Sequence, residues 1–548
     1  MSKTLIITEK PSVGRDIVKA LGGFHKKGDY YESNQYILSS AIGHLLKLCV
    51  SEEYEAKRGK WTLKNLPIIP PSFSLKPIEK TRSRLKLLLR LIKRNDIDLF
   101  INACDAGREG ELIFHHIMQY AKTKKLQQRV KSTSMTTSAI RYAFTVLRKE
   151  QEMQPLADAA VCRSEADWLV GINGTRALTA FNSSKGGFQL TTVGRVQTPT
   201  LMLLVERENA IKKFAKKDYW EVHGTFQAIS GTYTGRWFDE NFTGKGKDDL
   251  KPERVWDLTV AEAICKRCQN KVGKVTEESK HTTNLSPPLF DLTSLQRTAN
   301  KNFGYSAKRT LQLAQALYEH YKVITYPRTD ARALPEDYIG TVRKTLGVLA
   351  KTDGYGPLAS TILKKSWLRP QKRIFDNARI SDHFAIIPTN IIPKNLSDIE
   401  HKIYDLVARR FLAIFYPPAE FLVTTRITRV EEEPFKTSGK VLLNPGWLAV
   451  YGKESVSDNT PTIVPVQPDE IVQAIQIEIV AAQTRPPARF TEAKLLSAME
   501  NAGKLVDDDD LREAMSEKGL GTPATRAAII EGLLNERYLI RNNRELYP

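Results

Sequence analysis

The chain opens on a short β-branched and aliphatic run, TLIIT (4–8), followed by Pro11 and Ser12 and a stretch with Val13, Ile17 and Leu21 on one face. That pattern predicts a strand, then a helix that starts at Pro11 and stops at Gly22-Gly23. The alternation recurs. EKTRSRLKLLLRLIKR (79–94) puts Leu85, Leu88, Leu89 and Ile92 at helical spacing beneath a basic outer face, DLFINAC (98–104) reads as a strand, and GREGELIFHHIMQYA as the next helix. Strand and helix alternating through residues 1–154 predict a parallel α/β domain.

Periodicity then changes. Residues 155–215 read as helical, with DWLVGINGTRALTAF and TPTLMLLVERENAIKKF joined by a Gly- and Ser-rich connection. β-rich segments begin at DYWEVHGTFQA (218–228) and return at EFLVTTRITRV and IVQAIQIEIV, on either side of a helical block. The chain closes with helices after Thr491 and Thr522, the second being GTPATRAAII with threonine as N-cap and Pro523 at N1. The expectation is four parts: 1–154; 155–215 with 485–548; a β-rich arch from 216–285 and 408–484; and 286–407. No run of about 18 apolar residues is available to span a membrane, and no charged-then-apolar leader precedes the first strand. A cytoplasmic protein without membrane contact is expected.

Charge sharpens the picture. There are 82 Lys+Arg against 62 Asp+Glu, a formal +20, which favours a polyanionic partner such as nucleic acid. Of the five cysteines only Cys265 and Cys268 form a CxxC, on a predicted helix and without a second ligand pair, so no zinc is expected and the thiols fit a reducing compartment. No GxxxxGK[ST] loop is present to bind ATP.

Two predicted strand ends carry carboxylates. The first gives Glu9 and Lys10, and the second gives CDAGREGE, with Asp105 leaving the strand and Glu109 in the first helical turn. Ligands collect at the C-terminal edge of parallel strands. Asp105 and Glu109 there could offer hard oxygen ligands to Mg²⁺, with Glu9 across from them. Acids at helix N-termini are also common because the dipole favours them. A further stretch, ITYPRTD (324–330), sets Tyr326 between a β-branched run and a proline, where most tyrosines are packing residues.

LIITEKPS followed by NACDAGREGEL resembles the Toprim domain. Together with ADWLVGINGTRA, VGRVQTPTL, ITYPRTD, DHFAIIPT, RPPARFTEAKLL and GLGTPATRAAII, it resembles a type IA DNA topoisomerase, closest to the bacterial topoisomerase III group. The resemblance implies a multidomain α/β fold: an N-terminal Toprim domain, then helical and β-rich domains completing a torus. It also implies that Tyr326 is the nucleophile, retaining the 5′-phosphate while Glu9 protonates the departing 3′-oxygen. A free phenol has a pKa near ~10, so neighbouring cations are expected to favour its ionised form. Arg328 and Lys10 would neutralise the phosphate, and His383 matches the family's active-site histidine. His44, His115 and His116 have no motif support and read as structural.

By the same resemblance the cofactor is Mg²⁺, with Mn²⁺ as a substitute, held by Asp105, Glu109 and Glu9. Many relatives carry a third acid where this chain has Gly107, which leaves one or two ions open. Arg163, Asp167, Arg195 and Gln197 fall at strand-contacting motif positions, with Arg489, Thr522, Thr525 and Arg526 as further candidates. The expected partner is single-stranded DNA or DNA with single-stranded regions, and the expected state a monomer. A helicase or single-strand-binding protein is a candidate partner. Trp168 is expected in the core, and the polar stretch DENFTGKGKDDLKPER is a candidate for a loop reaching into the DNA-transport hole. The chain ends at RNNRELYP, where relatives usually continue. A Toprim nuclease or primase would explain the acids, and a DNA clamp the charge, but neither explains Tyr326.

Overall fold

Leu5 and Ile7 on one side of the first strand, and Ile6 on the other, have no exposed surface. A strand buried on both faces belongs inside a parallel sheet flanked by helices. The computed structural model describes residues 2–49, 61–131, 137–184, 186–244, 250–452, 464–467, 469–505 and 519–548. In it β1 (Lys3–Thr8) is the centre of a seven-stranded sheet. The order is β2 (His25–Lys27), β3 (Tyr30–Glu32), β4 (Tyr36–Ser40), β1, β7 (Ile97–Asn102), β8 (Leu126–Arg129) and β9 (Arg148–Lys149). β4, β1, β7 and β8 run parallel, and antiparallel strands close both edges. β5 (Leu46–Cys49) and β6 (Ser74–Pro77) pair separately. Of the helices α1 (Pro11–Leu21), α2 (Arg82–Ile92), α3 (Arg108–Ala121) and α4 (Thr137–Thr145), α2 and α3 cover Leu5 and Ile7, while α1 and α4 cover Ile6.

Two long helices follow, α5 (Glu150–Asn182) and α6 (Gln197–Lys212). Trp168 on α5 is half-buried, edge-to-face with Phe73 at 5.2 Å, so the expected core position is met only in part. The next strands are β10 (Asp218–Ala228) and β11 (Gly231–Trp237), then α7 (Leu258–Cys268) and β12 (Val272–Asn284). With β13 (Ala419–Val430), β14 (Glu433–Asn444) and β15 (Ile471–Gln483) they close a barrel in the order β10-β11-β14-β13-β12-β15. Closure pairs β10 with β15 and leaves no open edge. Local sequence pattern does not carry that information, because the pairing strands lie far apart in the chain. Cys265 and Cys268 both sit on α7 against this barrel, their thiols facing the carbonyls of Ile477 and Val430. Residues 245–249 of the polar stretch proposed as a transport-hole loop lie outside the described residues.

Between β12 and β13 the chain forms α8 (Leu292–Phe303), α9 (Ala307–Glu319), α10 (Ile339–Leu349), α11 (Gly356–Lys364) and α12 (Asp398–Ala413) around one core that includes Leu295, Leu317, Leu346, Ile403 and Phe411. ITYPRTD sits here but is not helical. Pro327 disfavours helical geometry at Tyr326 and lacks an N–H to continue one. The segment instead lies extended along residues 383–389. Ile324 bridges Pro388, the Thr325 N–H donates to Ile387 O at 2.9 Å, the Thr325 hydroxyl donates to Ala385 O at 2.9 Å, and the Thr329 hydroxyl donates to His383 O at 2.8 Å. Those bonds set Tyr326 beside His383.

The last helices, α13 (Glu492–Glu500) and α14 (Pro523–Asn535), share a core with Leu204 of α6. A hairpin of β16 (Ile540–Asn542) and β17 (Glu545–Tyr547) ends the chain, turning at Asn543 with φ 52°. Its strands are too short to show periodicity. Among the described residues, no helix is long and apolar enough to cross a membrane.

The Thr325 hydroxyl also accepts from Ile387 N–H at 2.9 Å. Thr325→Val removes both side-chain bonds at nearly constant volume. It should destabilise this part of the chain by about 1–3 kcal/mol, read by chemical denaturation. An unchanged midpoint would mean that these bonds do not hold the segment.

Candidate active site

In the sheet register Ile7 pairs with Asn102, so the residues that follow the two strands leave the same edge side by side. Ala103 N–H donates to Ile7 O at 2.8 Å and Ile42 N–H donates to Glu9 O at 2.8 Å, extending the order past the strand ends. Glu9, Lys10 and Asp105 therefore share one corner. A Cβ at Gly110 would strike the backbone of Asp105, so the glycine lets α3 begin directly against it. Beneath the corner Arg129 is 2% exposed, ion-paired to Glu111 at 2.6 Å, and donates to the carbonyls of Cys104 and Asp105. Asn102 donates to Glu111 at 3.1 Å and accepts from Cys104 N–H at 3.0 Å. This support was not anticipated from sequence. Its available signals were the second acid of GREGE and an arginine at the register position opposite Asn102.

The tyrosine segment meets the corner head-on. Lys10 is ion-paired with Asp105, its Nζ lies 3.3 Å from His383 Nε2, and it stands 3.9 Å from the centroid of the Tyr326 ring. His383 Nε2 is 3.0 Å from Asp105 Oδ2, and its ring centroid is 4.3 Å from that of Tyr326. Tyr318 packs on the other side of Tyr326 at 5.4 Å. A cavity of about 310 Å³ opens beside them, lined by Lys10, Asp105, Tyr326, Asp382, His383 and apolar side chains including Val13 and Phe144. Arg328 is held by Gln315, whose amide oxygen, oriented to suit its neighbours, accepts from the guanidinium at 2.8 and 3.2 Å.

Charge at the corner is unevenly distributed. Burial, with the carboxylates of Asp105 and Glu109 nearby, pushes Glu9 up to about 7. Burial alone would raise Asp105 too, but the hydrogen bond and charge of His383 and the charge of Lys10 hold it well below the usual range. Lys10 is likewise held above its ordinary value: burial opposes its charge, but Asp105, Tyr326 and Glu9 outweigh it. The expectation that cations favour ionised Tyr326 is not met in this state. Burial raises the phenol, and Lys10 and Arg328 only partly offset it. Glu109 is lowered, chiefly by a hydrogen bond from His44, whose Nε2 is 3.5 Å from the carboxylate. His44, read from sequence as structural, therefore faces the site. Its signal was its position just after β4, the strand parallel to β1 on the same sheet. His116 keeps its structural character, buried in α3 with burial pulling it to about 4.

The other predicted residues fall into two groups. Arg195 donates to Asp167 Oδ1 at 3.2 Å and to the Arg163 carbonyl at 3.3 Å, with both its side chain and that of Asp167 exposed. Gln197 donates to Glu536 at 2.8 Å. The rest are engaged in folding contacts. Arg489 pairs with Glu208 at 2.9 and 3.1 Å, and Thr522 and Thr525 form the capping box of α14. Arg526, 3% exposed, donates to Leu520 O, Gly521 O and the Thr293 hydroxyl, pinning the Gly521 turn onto α8. In this conformation its guanidinium is not displayed to a strand, because the close packing of α14 on α8 encloses it.

A Toprim domain family model matches residues 4–136, and a DNA topoisomerase family model matches residues 151–548. The chain is 39% identical to DNA topoisomerase 3 of Bacillus subtilis and 38% identical to that of Bacillus licheniformis, covering all of this chain and 74% of each relative. The chain belongs to the type IA DNA topoisomerases. Its fold is similar to that of full-length topoisomerase I from Thermotoga maritima, with a TM-score of 0.65 and 23% identity over 99% of this chain and 80% of that one. The fold class is accordingly that of a toroidal type IA topoisomerase core led by a Toprim domain.

In this topoisomerase the donor set at the corner suits a hard divalent cation. Glu9, Asp105 and Glu109 offer only oxygen, and burial together with the neighbouring carboxylates already raises Glu9. Among the described residues they do not form a ready-made cluster of three metal-ligating groups. Asp105 is engaged by Lys10 and His383, and Glu109 by His44.

Because Glu9 binds its proton more tightly folded than unfolded, its ionisation weakens the fold between about pH 4.5 and 7. In EDTA, Glu9→Gln should exceed the wild type in stability at pH 8 by on the order of 2–3 kcal/mol, with the gap closing toward pH 4.5. Denaturation at the two pH values checks this. An equal gap at both would contradict the raised carboxyl.

Proposed function

We propose that this topoisomerase cuts one strand of DNA through Tyr326, passes a second strand through the gap and reseals it, with Mg²⁺ and without ATP. The contact of the Tyr326 ring with Lys10 carries this reading, because it sets a phenol against a Toprim acid corner. The phenolic oxygen attacks the phosphorus, the bond from phosphorus to the 3′-oxygen breaks, and the 5′-phosphate stays on Tyr326. Since burial raises the phenol, ionisation awaits the strand. Lys10 and Arg328 then stabilise both phenolate and phosphoryl charge, and the His383 ring beside Tyr326 is suited to relay the proton. Glu9, whose carboxyl burial and the neighbouring Asp105 push up to about 7, is suited to protonate the departing 3′-oxygen. Reversal by the 3′-hydroxyl restores the strand, the phosphotyrosine having conserved the bond energy.

When bound, Mg²⁺ would neutralise phosphate charge at the corner, held by Asp105 and Glu109 with Glu9 nearby, with Mn²⁺ as a substitute. Arg163, Asp167, Arg195 and Gln197 are proposed to guide single-stranded DNA toward Tyr326. The exposed side chains of Arg195 and Asp167 support that role better than the enclosed Arg526 supports its own. The task follows as relaxation of negative supercoils or decatenation of DNA with single-stranded regions, by a cytoplasmic monomer with a helicase or single-strand-binding protein as candidate partner.

Tyr326→Phe should bind a single-stranded oligonucleotide as the wild type does and fail to relax negatively supercoiled plasmid in Mg²⁺. EDTA should stop the wild type, and ATP should change nothing. Relaxation retained by Tyr326→Phe would remove the tyrosine from the reaction.

A further inference from the structure

Gly107 occupies the place in DAGREGE where many relatives carry a third acid. Its φ of −113° is one that any residue adopts, so the backbone does not require glycine there. Space does. A Cβ built on Gly107 falls on the carboxylate of Asp382, within 2.8 Å of its Cγ and Oδ1 and closer still to Oδ2. The region into which a side chain at position 107 would extend is thus already filled by an acid from the tyrosine-bearing block. That block lies on the opposite side of the contact between Lys10 and Asp105 and the Tyr326–His383 pair, which on the proposed function is the DNA gate. Asp382 is half-buried and lines the same cavity as Lys10, Asp105 and Tyr326. Its position is fixed by its neighbours. The next residue, His383, bonds Asp105 at 3.0 Å and anchors its carbonyl on Thr329, and the Ser381 hydroxyl donates to Asp330 at 2.9 Å.

We propose that Asp382 supplies from the tyrosine-bearing block the carboxylate that position 107 lacks, adding across the gate to the oxygens that Asp105 and Glu109, with Glu9 nearby, offer to the divalent cation. The inference rests on the metal reading given above. It deepens it by making the third acid a property of the closed gate: parting the two sides withdraws one carboxylate from the corner. In relatives with the acid on the Toprim side, all the carboxylates travel together. Here cation binding and gate closure favour each other, because Asp382 reaches the corner only when the sides meet.

A second role is available to Asp382, since an acid beside Gly107 also stands at the N-terminus of α3, where the helix dipole favours negative charge. Metal binding separates the two roles. Mn²⁺ titrated into the full-length chain, followed by electron paramagnetic resonance and calorimetry, is compared for wild type, Asp105→Asn, Asp382→Asn and the swap Gly107→Asp/Asp382→Gly. Melting temperatures in EDTA are taken for each. Asp382→Asn should weaken Mn²⁺ binding by about tenfold, and the swap, which clears the space and returns the acid to the Toprim side, should recover it. Unchanged affinity in Asp382→Asn with a lower melting temperature in EDTA would reduce Asp382 to a helix cap and overturn the proposal. So would a loss that the swap fails to recover. If Asp105→Asn leaves Mn²⁺ binding unaltered, the metal reading itself falls, and this inference with it.

Discussion

The site depends on where one ammonium group sits. Lys10 Nζ is ion-paired with Asp105, lies within reach of His383 and stands over the Tyr326 ring, so one charge touches an acid of the Toprim sheet and two rings from a block several hundred residues later. Without that cation Asp105 and Glu9 would confront one another and the rings across a half-buried gap. With it the carboxylate remains ionised and the two sides meet. The Asp105–His383 bond adds a second tie. Both ties are made by groups that are themselves proposed to handle the phosphate. On the proposed mechanism a DNA phosphate arriving at the corner would compete for these same contacts, which would give strand binding a direct hold on gate opening.

Around this point the fold supplies rigid supports on either side. Below Asp105 the buried Arg129–Glu111–Asn102 network fixes the turn by hydrogen bonds to its backbone. Behind Tyr326 the extended segment is bonded through Thr325 and Thr329 to residues 383–387, so Tyr326 and His383 are held as one piece. Such preorganisation matters because charge stabilisation costs little reorganisation when donors are already aimed. The Gly107–Asp382 juxtaposition lies on the seam between the two supports.

Much of this was legible in the sequence. The Toprim strands could be read from TLIIT and DLFINAC, since a strand buried on both faces is a continuous apolar run, and the acids at their ends followed from the edge rule. The block around Tyr326 could be read as helical as a whole, but not its division into α8 to α12 with Tyr326 on an extended segment between them. The barrel's closure was not legible, because β10 meets β15 only through pairing of distant segments. Nor was His44, whose loop reaches Glu109 only because β4 lies next to β1. The enclosure of Arg526 was hidden as well. A motif arginine near a helix start looks available, and only the packing of α14 on α8 encloses it. The raised Tyr326 phenol was hidden for a similar reason: sequence names the cations beside it but not the burial that outweighs them.

The most direct test is to look for the covalent bond. A single-stranded oligonucleotide labelled in separate samples at its 3′ or 5′ end is incubated with the protein and Mg²⁺, then quenched with denaturant. The account predicts label on the protein only from the 3′-labelled strand, and none with Tyr326→Phe. Cut DNA with no labelled protein would contradict it, leaving an acid-site nuclease in which Tyr326 is a packed aromatic.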